Sequence, residues 1–211
     1  MRPAILYSFR RCPYAMRARL AVRSSGIECE LREIILRDKA SEFLAKSPDG
    51  TVPMLLDERG EVIAESLDIM LWALERSDPE GWLVGRAEAL ALISRMDLEF
   101  KPKLDRYKYA RGVAATVARD QAASMLAELD TILAKTPYLC GQQNTLADMA
   151  IAPFIRQFAN VARPWFDAQP WPALQRWLDG FITSKRFAAI MAKYPRWQAG
   201  DPITLLPQRQ E

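Results

Sequence analysis

The chain has 211 residues, of which 50% are hydrophobic, and its 29 basic and 26 acidic residues give a formal net charge of +3. This length allows one or two domains, and so mild a charge excludes the dense basic stripe of most nucleic-acid-binding proteins. Histidine is absent, which excludes Cys-His and Ser-His catalysis. We find neither a membrane-spanning apolar run of about 20 residues nor a signal-peptide pattern. We therefore expect a cytoplasmic protein.

The first predicted domain covers residues 1–76, in which strand and helix patterns alternate. The predicted strands are residues 4–8, 28–35, 54–56 and 61–64, and the predicted helices are residues 13–24, 41–45 and 67–75. Pro48, Asp49 and Gly50 give a turn signal before the third strand. The order is βαβαββα, and helices between strands favour a mixed sheet with crossover connections.

The remainder of the chain has a helical period almost throughout. Residues 77–86 contain a linker signal rich in proline and glycine, and residues 87–211 form the predicted all-helical domain. The fold class is therefore α/β followed by all-α. The residues from Gly200 onward contain two prolines and are predicted as an extended tail.

One buried helix of the second domain has a marked start signal. Asp148 stands three residues after Thr145, which predicts a variant of the capping box. The helix would continue to Phe158, and Pro153 within it predicts a kink or a shift of register.

The three cysteines, Cys12, Cys29 and Cys140, are scattered along the chain. An odd and scattered set does not predict a disulfide framework and lacks the spacing of zinc ligands. We therefore predict reduced thiols and no metal site, as is typical of cytoplasmic proteins.

Cys12 is the candidate catalytic residue. It follows the first predicted strand and precedes Pro13, which suits the first position of a helix. Cys12 would then be the helix N-cap, where free N–H groups and the helix dipole favour a thiolate, the nucleophile of sulfur chemistry. Ala15 stands where a dithiol oxidoreductase carries its second cysteine. A mixed disulfide with a small external thiol is therefore the expected intermediate.

Three arginines lie near this cysteine in the sequence, namely Arg10, Arg11 and Arg17. Their positive charges can favour the thiolate, and they can equally be ordinary solvated surface residues. The sequence alone leaves both interpretations open.

Two further segments have the properties of a binding site. Pro53 precedes a strand, and a cis bond between Val52 and Pro53, which the local sequence allows beside the trans form, would turn the Val52 backbone outward toward an extended peptide. Ser66 fits the N-cap of the third helix, and a helix N-terminus with a free hydroxyl binds a carboxylate. Glu65 beside it can hold an ammonium, so the pair suits the head group of an amino acid.

Taken in order, these motifs resemble the glutathione transferase superfamily, most closely its cysteine-type, omega-like members and their bacterial relatives. The motifs are residues 11–15, Lys39, residues 46–53, Glu65-Ser66 and residues 144–148. The resemblance covers the whole chain and implies a thioredoxin-like N-terminal domain followed by an all-helical C-terminal domain. It also implies a homodimer, and no nucleic-acid or membrane partner.

The resemblance implies a role for each residue of a glutathione site. Val52 would pair its backbone with the cysteinyl part of glutathione, next to a cis Pro53. Glu65 and Ser66 would bind the γ-glutamyl end. Lys39 would meet the glycyl carboxylate, although a solvated lysine is an equal alternative.

The implied activity is glutathione-dependent thiol transfer, such as deglutathionylation or dehydroascorbate reduction, through a mixed disulfide between Cys12 and glutathione as cosubstrate. One alternative is conjugation of glutathione to electrophiles, with Tyr7 or Ser8 as the hydroxyl donor. Another is a non-catalytic binding or regulatory module. Candidates for an electrophile pocket are the aromatic residues Tyr14, Phe100, Tyr107 and Trp165.

Overall fold

The computed structural model describes residues 3–47 and 49–207. Pro48 of the predicted turn and residues 208–211 of the predicted tail lie outside the described residues. The chain separates into two compact units. The first combines the residues up to Glu80 with those from Lys185 onward, and the second spans Gly81–Ser184.

The N-terminal part of the first unit has the predicted order βαβαββα. Its strands are β1 (Ala4–Ser8), β2 (Cys29–Glu33), β3 (Met54–Leu56) and β4 (Val62–Ile63), and its helices are α1 (Pro13–Ser25), α2 (Ser41–Leu44) and α3 (Ser66–Leu74). Strand β1 pairs in parallel with β2, from Ala4 opposite Cys29 to Ser8 opposite Glu33. On its other side β1 pairs antiparallel with β3, which in turn pairs antiparallel with β4.

Helix α1 begins and ends where the sequence dictates. Pro13 occupies the first helical position, where its missing N–H needs no partner. Gly26 follows the helix in the left-handed region at φ 72°, a conformation that glycine adopts without a steric cost. The helix contacts both α3 and the later helix of the same unit, so most of its length is buried.

The second unit is helical. Its helices are α4 (Arg86–Arg95), α5 (Lys101–Tyr109), α6 (Val113–Leu133), α7 (Leu146–Ala159), α8 (Arg163–Asp167) and α9 (Pro172–Ile182). A π-helical segment, Met96–Phe100, joins α4 to α5. The predicted capping box is present at the start of α7, and this helix continues through Pro153.

The structure corrects the predicted C-terminal boundary. Residues 87–211 were expected to form one helical domain with an extended tail, but helix α10 (Lys185–Ile190) and strand β5 (Leu205–Leu206) belong to the first unit. Strand β5 pairs antiparallel with β2 and gives the sheet order β4-β3-β1-β2-β5. The physical reason is that β2 would otherwise present an open edge of unpaired backbone groups.

The segment between α10 and β5 also packs on the first unit. Trp197 lies edge-on to Tyr7 with ring centroids 6.0 Å apart, and Arg32 stacks over the Trp197 ring at 4.1 Å. The Trp197 N–H donates to the carbonyl of Glu33 at 2.9 Å. Trp197 therefore joins the hydrophobic core cluster of the first unit.

Candidate functional site

The sheet topology brings every predicted site segment of the first unit to one end of the strands, which we call the site edge of the sheet. Strands β1 and β2 are parallel, so their carboxyl ends share this edge, where residues 9–12 and 34–40 follow them. Strand β3 is antiparallel to β1 and begins there, directly after residues 51–53. Strand β4 is antiparallel to β3 and ends there, just before residues 64–65 and α3.

Cys12 lies at the N-terminus of α1, as the sequence predicts. It is the N-cap residue with extended backbone angles, φ −76° and ψ 122°, and its thiol is half-buried. The Cys12 N–H donates to the Phe9 carbonyl at 3.0 Å, and the Met16 N–H donates to the Cys12 carbonyl at 2.9 Å. This turn places Cys12 at the start of the helix, where the first N–H groups have no helical partner.

The Val52–Pro53 segment lies against the thiol. The peptide bond between Val52 and Pro53 is cis. The Cys12 thiol donates a hydrogen bond to the Val52 carbonyl, with 3.5 Å between sulfur and oxygen. Cys12 also packs against the hydrophobic cluster that contains Val52. The two segments that the resemblance assigns to glutathione chemistry are therefore in contact.

Lys39 lies close to the same segment. A Cβ placed on Gly50 would be 3.1 Å from Nζ of Lys39, so the ammonium lies directly beside this loop. Gly50 has φ 59°, a left-handed conformation that disfavours any side chain there. The ammonium of Lys39 therefore lies beside Gly50, which precedes Val52 by two residues.

The start of α3 differs from the prediction by one residue. Ser66 was expected to be the N-cap, but it is the first helical residue, and Glu65 is the N-cap with φ −85° and ψ 135°. The Glu65 carbonyl already accepts the first helical hydrogen bond, from the Ile69 N–H at 3.0 Å. Ser66 is buried and Glu65 is exposed.

The structure does not support Tyr7 and Ser8 as hydroxyl donors to a ligand. Both are buried, with exposed fractions of 1% and 0%. The Tyr7 hydroxyl accepts a hydrogen bond from Arg32 at 2.7 Å, and its ring packs on Phe43 with centroids 5.1 Å apart. Side chains at these positions form the core beneath the site.

The arginines near Cys12 in the sequence differ in their surroundings. Arg11 is exposed, whereas Arg17 is buried and lies beside the Tyr14 ring, with its Cζ 5.6 Å from the ring centroid. The sequence interpretation did not single out Arg19, which is fully buried in the same helix and donates to the Arg10 carbonyl at 2.6 Å. A signal existed: Arg19 stands seven residues after Cys12, and thus on the same face of α1.

The other two cysteines have environments that keep them protonated. Burial raises the pKa of the Cys29 thiol to about 12, with a smaller contribution from Glu58. Burial likewise raises the pKa of Cys140 to about 11, which its hydrogen bond with Thr145 only partly opposes. Neither environment favours a thiolate at neutral pH.

The aromatic candidates of the second unit form one cluster. Phe100, Tyr107 and Trp165 each pack on Phe158, with ring centroids 5.7, 5.1 and 6.1 Å apart. Phe100 is fully buried and belongs to the core, whereas Tyr107 and Trp165 are half-buried. Only the latter two have surface left to contact a ligand.

Residues 3–47 and 49–207 contain neither a candidate metal site nor a candidate membrane span. Within these ranges no group of three or more His, Cys, Asp or Glu side chains could hold a metal ion. No described helix combines the length and the apolar character that crossing a membrane requires.

Comparisons with known proteins identify the family of this chain. Profiles described as Glutathione S-transferase, N-terminal domain and Glutathione S-transferase, C-terminal domain match residues 6–81 and 88–180. Glutathione S-transferase GstB of Escherichia coli (strain K12) is 31% identical over 155 residues, which cover 65% of this chain and 71% of that protein. The chain belongs to the glutathione S-transferase family.

Omega-class glutathione S-transferases are among the relatives of this chain. Glutathione S-transferase omega-1 of Sus scrofa is 25% identical over 197 residues, covering 90% of this chain and 77% of that protein. Glutathione transferase Omega 3C from Trametes versicolor has the same fold, with a TM-score of 0.78, 20% identity, and coverage of 94% of this chain and 87% of that one. As a member of the glutathione S-transferase family, the protein is a transferase.

Proposed function

We propose that this glutathione transferase catalyses thiol transfer, of the deglutathionylating or dehydroascorbate-reducing type, with glutathione as cosubstrate. The observation that carries the proposal is the half-buried thiol of Cys12 at the N-terminus of α1. Free N–H groups and the helix dipole stabilise a thiolate at such a position.

Deglutathionylation consists of two thiol–disulfide exchanges. In the first, the Cys12 thiolate attacks the glutathione sulfur of a mixed disulfide; a bond forms between these sulfurs, and the substrate leaves as a thiolate that takes a proton from water. In the second, a free glutathione thiolate attacks the glutathionyl sulfur on Cys12, which releases oxidised glutathione and restores the thiolate. The substrate sulfur is thereby reduced, and the free glutathione sulfur is oxidised.

The external thiol is needed because the helix offers no second cysteine. Ala15, at the position of a resolving thiol, is fully buried. Burial raises the pKa values of Cys29 and Cys140, so neither supplies a thiolate that could attack at neutral pH. Free glutathione is thus the proposed thiol that reduces the mixed disulfide on Cys12.

The glutathione itself would lie along the site edge of the sheet. We assign its cysteinyl part to the Val52–Pro53 backbone, because the Cys12 thiol already contacts the Val52 carbonyl. The exposed Glu65 and the α3 N-terminus at Ser66 would bind the γ-glutamyl end. Lys39, beside Gly50, would pair with the glycyl carboxylate.

The burial of Tyr7 and Ser8 favours thiol transfer over conjugation. Conjugation needs a donor that stabilises the glutathione thiolate without forming a covalent bond, and the two hydroxyls considered for this role are buried. The half-buried Tyr14, which lies in the same unit as Cys12, would contact the second substrate. We also propose a homodimer, as is usual in this family, and a cytoplasmic location, where a reduced glutathione pool would regenerate Cys12.

Replacement of Cys12 tests the mechanism. We expect Cys12→Ala and Cys12→Ser to abolish reduction of a glutathionylated peptide, because neither side chain can form a disulfide. Cys140→Ala is the matched control, since Cys140 is also half-buried, and it should keep wild-type activity. The assay couples formation of oxidised glutathione to its reductase. Full activity in the Cys12 variants would overturn the mechanism.

A further inference from the structure

A buried pair of charges lies beneath the loop that carries Cys12. Arg19 is fully buried in α1, and Glu33 at the end of β2 is 9% exposed. Nη1 of Arg19 lies 3.5 Å from Oε2 of Glu33. A buried ion pair is weak support for stability, because the loss of hydration of both charges offsets their attraction.

Both charged groups hold the same residue of the loop, Arg10. Nη2 of Arg19 donates to the Arg10 carbonyl at 2.6 Å, and Oε1 of Glu33 accepts from the Arg10 N–H at 2.6 Å. Arg10 precedes Cys12 by two residues. Hydrogen bonds to charged groups are about twice as strong as neutral ones, so the loop is fixed on both sides of one residue.

Helix geometry explains how Arg19 reaches this loop. Seven residues make about two helical turns, so Arg19 and Cys12 lie on the same face of α1. Side chains of a helix tilt toward its N-terminus, and the long arginine side chain therefore extends back beneath the helix start. The bond to the Arg10 carbonyl places its guanidinium there.

The pair is only partly satisfied by hydrogen bonds. Among the described residues, Nε and Nη1 of Arg19, Oε2 of Glu33 and Oγ of Ser8 are buried without a hydrogen-bond partner. Leaving such groups unpaired costs stability. These unpaired polar atoms argue against a role for the pair in stability alone.

The guanidinium and the Cys12 sulfur are electrostatically coupled. Burial lowers the pKa of Arg19, and the negative charges of Glu33, then of Cys12 and of Tyr194, oppose this effect. Burial raises the pKa of Glu33, against the Arg10 N–H and the charges of Arg19 and Arg10. Charges interact more strongly at a buried position than in water.

We propose that Arg19 is a positioning residue for thiol transfer: it fixes the loop of Arg10 and Cys12 from beneath and directs a buried positive charge toward the thiolate, while Glu33 moderates that charge. The inference rests on the proposed role of Cys12. It predicts that loss of the Arg19 charge and loss of the Glu33 charge shift the pH midpoint of Cys12 alkylation in opposite directions.

The first test is the pH dependence of Cys12 alkylation by iodoacetamide, followed by peptide mass spectrometry. We expect Arg19→Gln to move the midpoint upward by about one pH unit, because a favourable charge is lost. Glu33→Gln, whose amide oxygen can still accept from the Arg10 N–H, should move it downward. Arg23→Gln, a half-buried arginine farther along α1, is the control and should leave it unchanged.

The second test separates charge from geometry. Arg19→Lys keeps the charge and loses the fork that reaches the Arg10 carbonyl, so the midpoint should stay near the wild-type value. Its kcat for thiol transfer should fall about tenfold or more, since misplaced reacting groups lose rate, and KM should change little. Circular dichroism checks that each variant folds. If R19Q does not fold, the alkylation midpoint is measured in Glu33→Gln and in the double variant R19Q/E33Q instead.

The outcomes separate the two proposals. Equal midpoints in wild type, R19Q and E33Q, or shifts of the same sign in both variants, would overturn the role of Arg19. A midpoint shift in a protein whose wild type performs no thiol transfer would instead overturn the proposed function, because alkylation does not depend on that activity.

Discussion

At the scale of single residues, three cysteines of one chain have very different chemistry. Cys12 lies half-buried at a helix N-terminus, whereas Cys29 is fully buried in strand β2. Cys140 lies in the segment before α7, where burial also disfavours its charged form. The position of each thiol in the fold, and not its residue type, decides which one can act as a nucleophile.

This difference predicts selective labelling. A pKa of about 12 for Cys29 and about 11 for Cys140 leaves both thiols protonated at neutral pH. At pH 7 a thiol with a pKa four units higher is ionised only to roughly 10⁻⁴. We therefore expect iodoacetamide to modify Cys12 alone at pH 7, and the others only in strongly alkaline solution. Comparable labelling of Cys140 and Cys12 at pH 7, measured by peptide mass spectrometry, would contradict this.

The sequence predicts the nucleophile Cys12 but not the buried charges of Arg19 and Glu33 that lie beneath its loop. Cys12, Pro13 and the strand before them are contiguous, so local patterns predict their arrangement. Arg19 and Glu33 belong to different elements, and only the packing of α1 on the sheet brings their charges together. An arginine within an amphipathic helix is normally solvated, so its burial has no local signal except its spacing from Cys12.

At the scale of elements, the start of α7 depends on one buried carboxylate. Asp148 accepts hydrogen bonds from the Thr145 N–H and hydroxyl, from the Leu139 N–H and from Nε1 of Trp177, at 2.9 to 3.0 Å. Asp148 and Thr145 are both buried. The group therefore joins the helix start to the preceding segment and to α9.

Removal of this carboxylate should destabilise the helical unit. Asp148→Ala leaves buried donors without an acceptor, so we expect the free energy of unfolding to fall by about 3 kcal/mol or more. Asp130→Ala is the comparison: Asp130 accepts the Ala173 and Leu174 N–H groups at the start of α9, and a lost cap costs about 1 kcal/mol. Urea unfolding followed by circular dichroism measures both. Equal decreases in the free energy of unfolding of the two variants would contradict the larger effect predicted for Asp148→Ala.

The elements themselves were largely predictable. The strands β1 to β4 and the helices α1 to α3 follow the predicted order, because proline, glycine and apolar periods mark their boundaries. Strand β5 has two residues, too few for any period, and its partner β2 lies far away in the sequence. Its pairing is a property of the folded sheet and cannot be read from the local pattern.

At the scale of the whole molecule, the proposed homodimer predicts the mass in solution. One chain has a mass of 24.0 kDa, so light scattering after size exclusion should give about twice that value. The measurement should be made over a range of protein concentrations, since dimer formation depends on concentration. A mass that stays near 24.0 kDa at every concentration would refute the dimer.

The division into two units was only partly predictable. The linker signal after α3 marks the point where the chain first passes from one unit to the other, because proline and glycine end the helical period of α3. The second crossing, near Lys185, falls between two helices, and a helical period continues on both sides of it. Periodicity reports whether a segment is helical and not which core it joins.

The position of β5 has a consequence for synthesis on the ribosome. The sheet beside Cys12 receives strand β5, and Trp197 reaches the core, only after residues 197–206 have been translated. Contacts between distant parts of a chain also form slowly. A chain that stops before these residues therefore exposes the edge of β2, which another chain can pair with, so strand β5 protects the newly made protein from aggregation.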